Sequence, residues 1–441
     1  MIMRGTGKSS NSGNAQKEKS TAVQDLTTCF KDETGISKVY GSPSEQNLAK
    51  YAVTLFVNKY GYIARDSRNI TNPPSSHTIK TGVRSVTQVF KDVTAFIRIP
   101  HGKGLVEGII QAIQIDDNYR VCFSAKEREN VDVMESAFND ILEINNFYQG
   151  KSLRFVDDGV EFIPTPSTTL DDVVLPSDTL KEYKLNVLDF LTVPEMQAIT
   201  KRRGIILHGA PGTGKTTSVK ALFNKLGSLK ITCIYISDAS FARYTVEQVF
   251  SFVNTYLAPC LVVFEDIDLV AMDRRLGGSR IIGPLLSAMN GIEDAIKPIV
   301  ILATTNRPEV LDAAITRPCR FDRKIKVDYP TADELNMIFR KVAKFHAPSG
   351  MFDQPDTDEK KLTGAHVEEI YRTAALTAQA TKRSVQECVK EAHETVLKHF
   401  MIVSPKVVRG FDYDSDGMQE FNTSLGKVPS TGDAFAKGDQ L

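Results

Sequence analysis

The sequence predicts an α/β fold, a parallel-sheet core with a C-terminal helical lid, preceded by a small α+β domain. Three observations carry this. Strand-length apolar segments alternate with helical patterns from about residue 180 to 330. A glycine-rich turn, Gly209-Ala210-Pro211-Gly212-Thr213-Gly214-Lys215-Thr216, joins the first of these segments to a helix. Past residue 331 the apolar spacing becomes purely helical.

Residues 1–45 are polar and poor in aromatics, and they read as a disordered tail. Within them Gly5-Thr6-Gly7-Lys8-Ser9 copies the end of the glycine-rich turn. Ile2 stands where the first glycine belongs and no strand precedes it, so it is not a second site. From 46 to 162 the signals are those of the α+β domain. Tyr119-Arg120-Val121-Cys122-Phe123 alternates like a half-buried strand, and Val133, Met134, Phe138, Ile141 and Leu142 mark an amphipathic helix. Leu153–Phe155 and Val160–Phe162 flank Asp158-Gly159, a hairpin turn. Residues 163–179, rich in Pro, Thr, Ser and Asp, read as a linker.

The core occupies 180–330, with strands expected at 204–208, 230–236, 261–266, 298–304 and 324–328. After the glycine-rich turn, Val219, Leu222, Phe223 and Leu226 follow helical spacing and Gly227 stops the helix. Thr245 with Gln248, and Thr331 with Glu334, fit capping boxes that start two further helices. The lid, 331–405, opens with the stripe Leu335, Ile338, Phe339, Val342 and Phe345 and continues in two helical stretches over about 365–402. Residues 406–441 read as a flexible tail.

Composition narrows the function. Charges balance to a formal net of zero, so nothing global argues for nucleic acid or an anionic membrane. The longest apolar runs, Leu261–Phe264 and Ile299–Ala303, are far too short to span a bilayer, and Met1–Ser20 lacks the apolar segment of a signal peptide. The six cysteines are scattered without a C-x-x-C pair, which suits a reducing compartment, and a cytoplasmic location is the expectation.

The chemistry begins at the turn. Its pattern, G-x-x-x-x-G-K-[ST], between a strand and a helix, is that of a loop whose backbone N–H groups surround phosphate oxygens, helped by the helix N-terminus. Lys215 would reach the β- and γ-phosphates of a nucleoside triphosphate and the Thr216 hydroxyl would hold Mg²⁺. Glu265 and Asp266 follow the buried strand Leu261–Phe264, at the strand end where ligands sit in open α/β sheets. Ile299 to Asn306 reads as a strand ending in a polar amide, and Asn306 would orient an attacking water. Arg317, Arg320 and Arg323 crowd one short segment, which taken alone an ordinary basic loop explains nearly as well.

Together these segments, from roughly 180 to 380, resemble the AAA family of ATPases. GAPGTGKTT is similar to the family's Walker A motif and FEDID to its Walker B; ATTNRPEVLDAAITRPCRFDR resembles its second region of homology. Gly364-Ala365 resembles the sensor-2 position that abuts the nucleotide. The resemblance implies a P-loop NTPase core with ATP and Mg²⁺. Gly209, Pro211, Gly212, Thr213, Gly214, Lys215, Thr216, Thr217, Gly364 and Ala365 would line the nucleotide. Asn306 would be sensor 1, and Arg317 and Arg320 arginine fingers completing a neighbouring subunit's site in a homo-hexameric ring. Hydrolysis would remodel a macromolecular partner, most simply a protein.

Two departures qualify this picture. The family's usual Asp-Glu order is reversed, placing Glu265 at the Mg²⁺ position and Asp266 at the water-activating one, as in the mitochondrial AAA proteins that help assemble a respiratory complex. Asp is one methylene shorter than Glu, so the local backbone must compensate or turnover will be slow. The pore-loop region, Ser240–Thr245, is short and lacks the family's aromatic–hydrophobic–glycine pattern. Phe241 is expected to pack under the sheet and Tyr244 to precede the Thr245 cap; the rival is that Tyr244 grips substrate.

Two rival functions stand beside the main one. A DNA-associated replication or clamp-loader ATPase is opposed by the neutral charge and by Ala365 where those relatives use an arginine. A nucleotide-gated scaffold with little hydrolysis is kept open by the Glu265-Asp266 order. Lesser signals complete the chain. His393-Glu394 lacks the second histidine of a zinc-protease motif, Leu397 taking its place, and Asp412-x-Asp414-x-Asp416-Gly417 starts like a calcium loop but has Thr423 where the glutamate belongs. Lys201-Arg202-Arg203 is expected to solvate the approach to the nucleotide.

Overall fold

The computed structural model describes residues 35–62, 74–156, 159–241, 244–269, 282–291, 297–315, 317, 320–353 and 361–403. The N-terminal unit runs β1 (Gly35–Tyr40), α1 (Pro43–Tyr60), β2 (Gly61–Tyr62), β3 (Ser75–Lys80), β4 (Val86–His101), β5 (Gly104–Ile115), β6 (Asn118–Ser124) and α2 (Arg128–Ile144). Its strands form an antiparallel sheet in the order β1-β6-β5-β4-β2, with β3 also paired to β4. Both helices bury apolar side chains against this sheet. Phe56 of α1 meets Phe123 of β6 and Phe138 of α2 edge-on, at centroid distances of 6.0 and 5.8 Å.

Residues 35–45, read from the sequence as tail, are instead ordered. Lys38 and Tyr40 turn toward α2 and the sheet while alternate residues stay exposed, and β1 pairs antiparallel with β6 from end to end. Ser42 then starts α1 with a capping box: its Oγ accepts from Glu45 N, and Glu45 Oε2 accepts from Ser42 N at 3.0 Å. A short polar edge strand carries little apolar signal, so its partner rather than its composition makes it a strand.

The core adds β7 (Ser152–Val156), β8 (Gly159–Phe162), α3 (Ser177–Tyr183), β9 (Arg202–His208), α4 (Lys215–Ser228), β10 (Thr232–Ile236), α5 (Val246–Phe252), β11 (Cys260–Phe264), α6 (Ile282–Gly291), β12 (Ile299–Thr305) and β13 (Arg323–Lys326). They build one seven-stranded sheet, β13-β9-β12-β11-β10-β7-β8, parallel except for β8. Every residue of β11 and β12 is buried, as expected for central parallel strands covered on both faces. Strand pairing corrects one boundary: the 152–162 hairpin, assigned from sequence to the N-terminal unit, extends the core sheet, with Ser152–Arg154 parallel to Cys233–Tyr235. Local alternation marks a strand without naming its partner.

The two units share contacts. Ser44 Oγ on α1 accepts from Val160 N at 2.8 Å, Asn146 donates to the Tyr256 carbonyl at 2.7 Å, and Lys297 pairs with Glu143 at 2.7 Å. The lid holds α7 (Ala332–Ala343), α8 (Gly364–Thr381) and α9 (Val385–Val403) around Leu335, Phe339, Phe352, Val367, Ile370 and Val389. Both capping boxes expected from the sequence, at Thr245 and Thr331, are formed. Among the described residues no helix is long and apolar enough to cross a membrane.

Candidate functional site

β9 ends at His208, and the chain turns through the glycine loop before α4 begins at Lys215. Gly212 and Gly214 hold φ of +77° and +98°, values that side-chain-bearing residues rarely adopt. A Cβ on Gly212 would lie 2.6 Å from Thr363 Oγ1 and 2.8 Å from Ala365 Cβ, while the Ala365 N–H donates to the Gly212 carbonyl at 3.3 Å. The lid therefore rests directly on the loop. Lys215 Nζ curls back to donate to the Gly209 and Ala210 carbonyls, each at 2.8 Å. Its pKa is lowered by burial, opposed by the nearby Asp266 and Asp268 charges.

Opposite the loop stand the ends of β11 and β12. Burial pushes the Glu265 carboxyl up, and a hydrogen bond with the Thr216 side chain pulls it down. Asp266 has φ +50°, donates its N–H to Thr304 Oγ1 at 3.1 Å, and accepts from Asn306 Nδ2 at 3.5 Å. Thr305 Oγ1 donates to the buried Asp268 at 2.7 Å and ties the two strand ends together.

A cleft of about 320 Å³ lies between loop and lid, lined by residues 211–217, Asp266, Asn306, Gly364 and Ala365. Glu265 sits beside it through Thr216, and Gly209 closes the loop from behind. Arg317 and Arg320 do not line it. Arg317 is exposed and has no hydrogen-bond or ion-pair partner among the described residues, whereas Arg320 is half-buried and donates to the Ala314 carbonyl at 2.8 Å.

Sequence reasoning missed part of this cleft. The expected linker supplies Asp172, Val173, Val174, Leu175 and Pro176 to its wall, and Ile338 of α7 lines it as well. Lys341 of α7 donates to the Asp171 carbonyl, joining lid and linker. Thr304 was also missed; a hydroxyl at a strand end just ahead of Asn306 was the available signal.

Several expectations need correction or placing. Arg202 is buried and donates to the Met289 carbonyl, and Arg203 donates to Asn186, so this pair braces the fold instead of solvating the nucleotide's approach. Tyr244 is buried with its ring edge-on to Phe155 at 5.7 Å, and Phe241 packs partly buried against the core; Ala242 and Arg243 lie outside the described residues. His393 packs against Phe352 in the lid, and no group of three or more His, Cys, Asp or Glu among the described residues is placed to hold a metal. The segments 5–9 and 412–417 lie outside the described residues.

The site's chemistry suits a nucleotide carried with Mg²⁺. Thr216 and Glu265 present hard oxygen donors to each other at the start of α4, Lys215 supplies a cation, and the glycines leave backbone room for phosphate oxygens.

Residues 205–329 match the family described as ATPase family associated with various cellular activities (AAA). The chain is 32% identical over 279 residues to the ATP-dependent zinc metalloprotease FtsH 3 of Symbiobacterium thermophilum, covering 56% of this chain and 43% of that protein. It is 31% identical over 270 residues to the FtsH of Helicobacter felis, covering 55% and 41%. An uncharacterized AAA domain-containing protein of Schizosaccharomyces pombe is 33% identical over 204 residues, covering 43% and 26%. The chain thus spans less than half the length of these relatives.

Proposed function

We propose that this chain, whose residues 205–329 match the AAA ATPase family, binds ATP with Mg²⁺, hydrolyses it, and uses the turnover to remodel a protein partner from within a homo-oligomeric ring. One observation carries this reading. Lys215, the Thr216–Glu265 pair and the Asp266–Asn306 pair converge on a single cleft roofed by the lid.

Each residue then has a task. Lys215 exchanges its two loop carbonyls for phosphate oxygens, a trade of neutral acceptors for charged ones. Thr216 and Glu265 would hold Mg²⁺, which supplies neutralisation of charge developing on the phosphates. Asp266 takes the proton of the attacking water, and Asn306, in contact with Asp266, orients that water. The wall formed by Val173, Leu175 and Ile338 offers apolar surface for the base, and Ala365 senses the phosphate end through Gly212. Arg317, exposed and unpaired among the described residues, is offered to a neighbouring subunit. The ATP-dependent metalloproteases among the relatives support a protein as the partner.

The test is a set of variants. Lys215→Ala loses nucleotide affinity. Asp266→Asn keeps affinity, loses turnover by roughly 10²–10⁴, and retains the protein partner for capture. Mixing Arg317→Ala with Asp266→Asn subunits restores part of the rate, because some interfaces then combine both intact groups. Normal hydrolysis by Asp266→Asn, with Glu265→Gln dead yet binding Mg²⁺, would reverse the two acidic roles. Full activity in a strict monomer would remove the shared site.

A further inference from the structure

The segment carrying Arg317 is tethered at both ends. Phe321 N–H donates to the Ile315 carbonyl at 3.1 Å and Arg320 Nη1 to the Ala314 carbonyl at 2.8 Å, joining described residues on either side of the exposed Arg317. Phe321 is fully buried, and the Arg320 carbonyl lies against β9 at Gly204, 1.8 Å from where a Cβ would stand. Downstream, a chain of polar side chains begins on Arg323, the first residue of β13, and ends on its neighbour Asp322. Arg323 Nε donates to Glu182 Oε2 at 2.8 Å and its Nη2 donates to Glu182 Oε1. Glu182 Oε2 also accepts from Asn186 Nδ2 at 2.8 Å. Asn186 Oδ1 accepts from Arg203 Nε at 3.0 Å and Nη2 at 2.8 Å, and Arg203 Nη1 pairs with Asp322 Oδ2 at 3.7 Å.

We propose that Glu182 is the positioning residue of this arginine loop, holding Arg323 and through it the reach of Arg317 toward a neighbouring subunit. The inference rests on the reading of Arg317 given above. Glu182 lines no part of the nucleotide cleft, so its influence passes through Arg323 and, by way of Asn186 and Arg203, through Asp322. A half-exposed ion pair contributes little to stability. A two-pronged guanidinium–carboxylate contact instead fixes direction, since both parallel bonds are lost when the fork rotates. Asn186 and Arg203 hold the carboxylate in register from behind, which fits a device for orientation more than for stability.

The experiment measures steady-state ATPase, binding of a fluorescent ATP analogue with and without Mg²⁺, and oligomer size by light scattering. Glu182→Gln is expected to lower kcat by roughly tenfold to a hundredfold, the scale of a displacement near 1 Å, leaving KM, analogue binding and oligomer size unchanged. Arg323→Lys, which keeps charge but loses the fork, falls between Glu182→Gln and the wild type. Introduced into Arg317→Ala, Glu182→Gln adds no further loss, because a loop without its cation gains nothing from being positioned. A wild-type rate for Glu182→Gln, when Arg317→Ala is impaired, overturns the proposal, as does an independent further loss in the double variant. A wild-type rate for Arg317→Ala overturns the reading beneath it and this inference with it. Should Glu182→Gln melt early, Asn186→Ala at the centre of the same chain replaces it, with the same outcomes deciding.

Discussion

At φ +50° Asp266 occupies the left-handed region, where Asp and Asn pay a smaller steric cost than longer side chains. That backbone setting bears on the reversed acidic pair. A shorter side chain loses reach, but the αL turn, pinned by the N–H bond to Thr304, brings the Asp266 carboxylate into the cleft and within 3.5 Å of Asn306. Thr304→Val keeps the shape at that position and removes the acceptor. Asp266 loses the contact that fixes its backbone and is freed from its pose. The expected outcome is a kcat lower by about tenfold to a hundredfold with unchanged nucleotide affinity, read by single-turnover hydrolysis beside an equilibrium titration. An unchanged kcat would show that Thr304 does not hold the acid in place.

At the scale of elements, β9 joins two candidate functional segments. Its C-terminal end launches the phosphate loop, and its Gly204 receives the backbone of the arginine loop. Gly204→Ala places a methyl group on the Arg320 carbonyl, where neither backbone yields cheaply. Overpacking of this kind costs on the order of 1–3 kcal/mol, so Tm should fall by several degrees in calorimetry. Turnover should fall with it while ATP affinity holds, because the displaced segment carries Arg317 and not the phosphate loop. Loss of affinity instead would mean that the strain runs along β9 into the glycine turn. α4 is secured separately, through Phe223 against Tyr235 at 4.3 Å, and is expected to keep its place.

Across the whole molecule, four buried or half-buried histidines share one electrostatic tendency. His77 in the N-terminal sheet, His208 at the end of β9, and His366 and His393 in the lid all have pKa values lowered below 6.5, burial being the leading cause in each. The unfolded chain binds protons at these sites near pH 6.5 while the folded chain resists them, so stability is present above that pH and declines as pH falls below it. His366 adds a local consequence. Its Nδ1 accepts from Thr363 N at 3.0 Å at the start of α8, and protonation removes that acceptor where the lid meets Gly212. Thermal unfolding followed from pH 7.5 to 5.5 should show Tm decreasing, and His366→Gln should flatten part of the decrease. A Tm that rises on acidification would contradict the sign of these shifts.

Much of the candidate site was legible in the residue order because a strand, glycine turn and helix in succession form a local pattern. The glycine turn, the lysine and the threonine are consecutive, and strand-end acids announce themselves by following an apolar run. The same locality made the five core strands and the capping boxes at Thr245 and Thr331 readable. What the residue order left open are matters of partnership. Residues 35–40 became a strand only because β6 offered an edge, and the 152–162 hairpin joined the core only because β10 did. Val173 and Leu175 look like linker until α7 and the glycine loop close around them. The chain from Glu182 to Asp322 spans more than a hundred residues of sequence yet closes within a few hydrogen bonds. Sequence by itself determined the motifs, because their geometry depends on neighbours along the backbone. Only the tertiary structure decided the edges, walls and braces, because a strand's partner, a cleft's far side and a carboxylate's guanidinium come from segments that approach each other after the chain has folded.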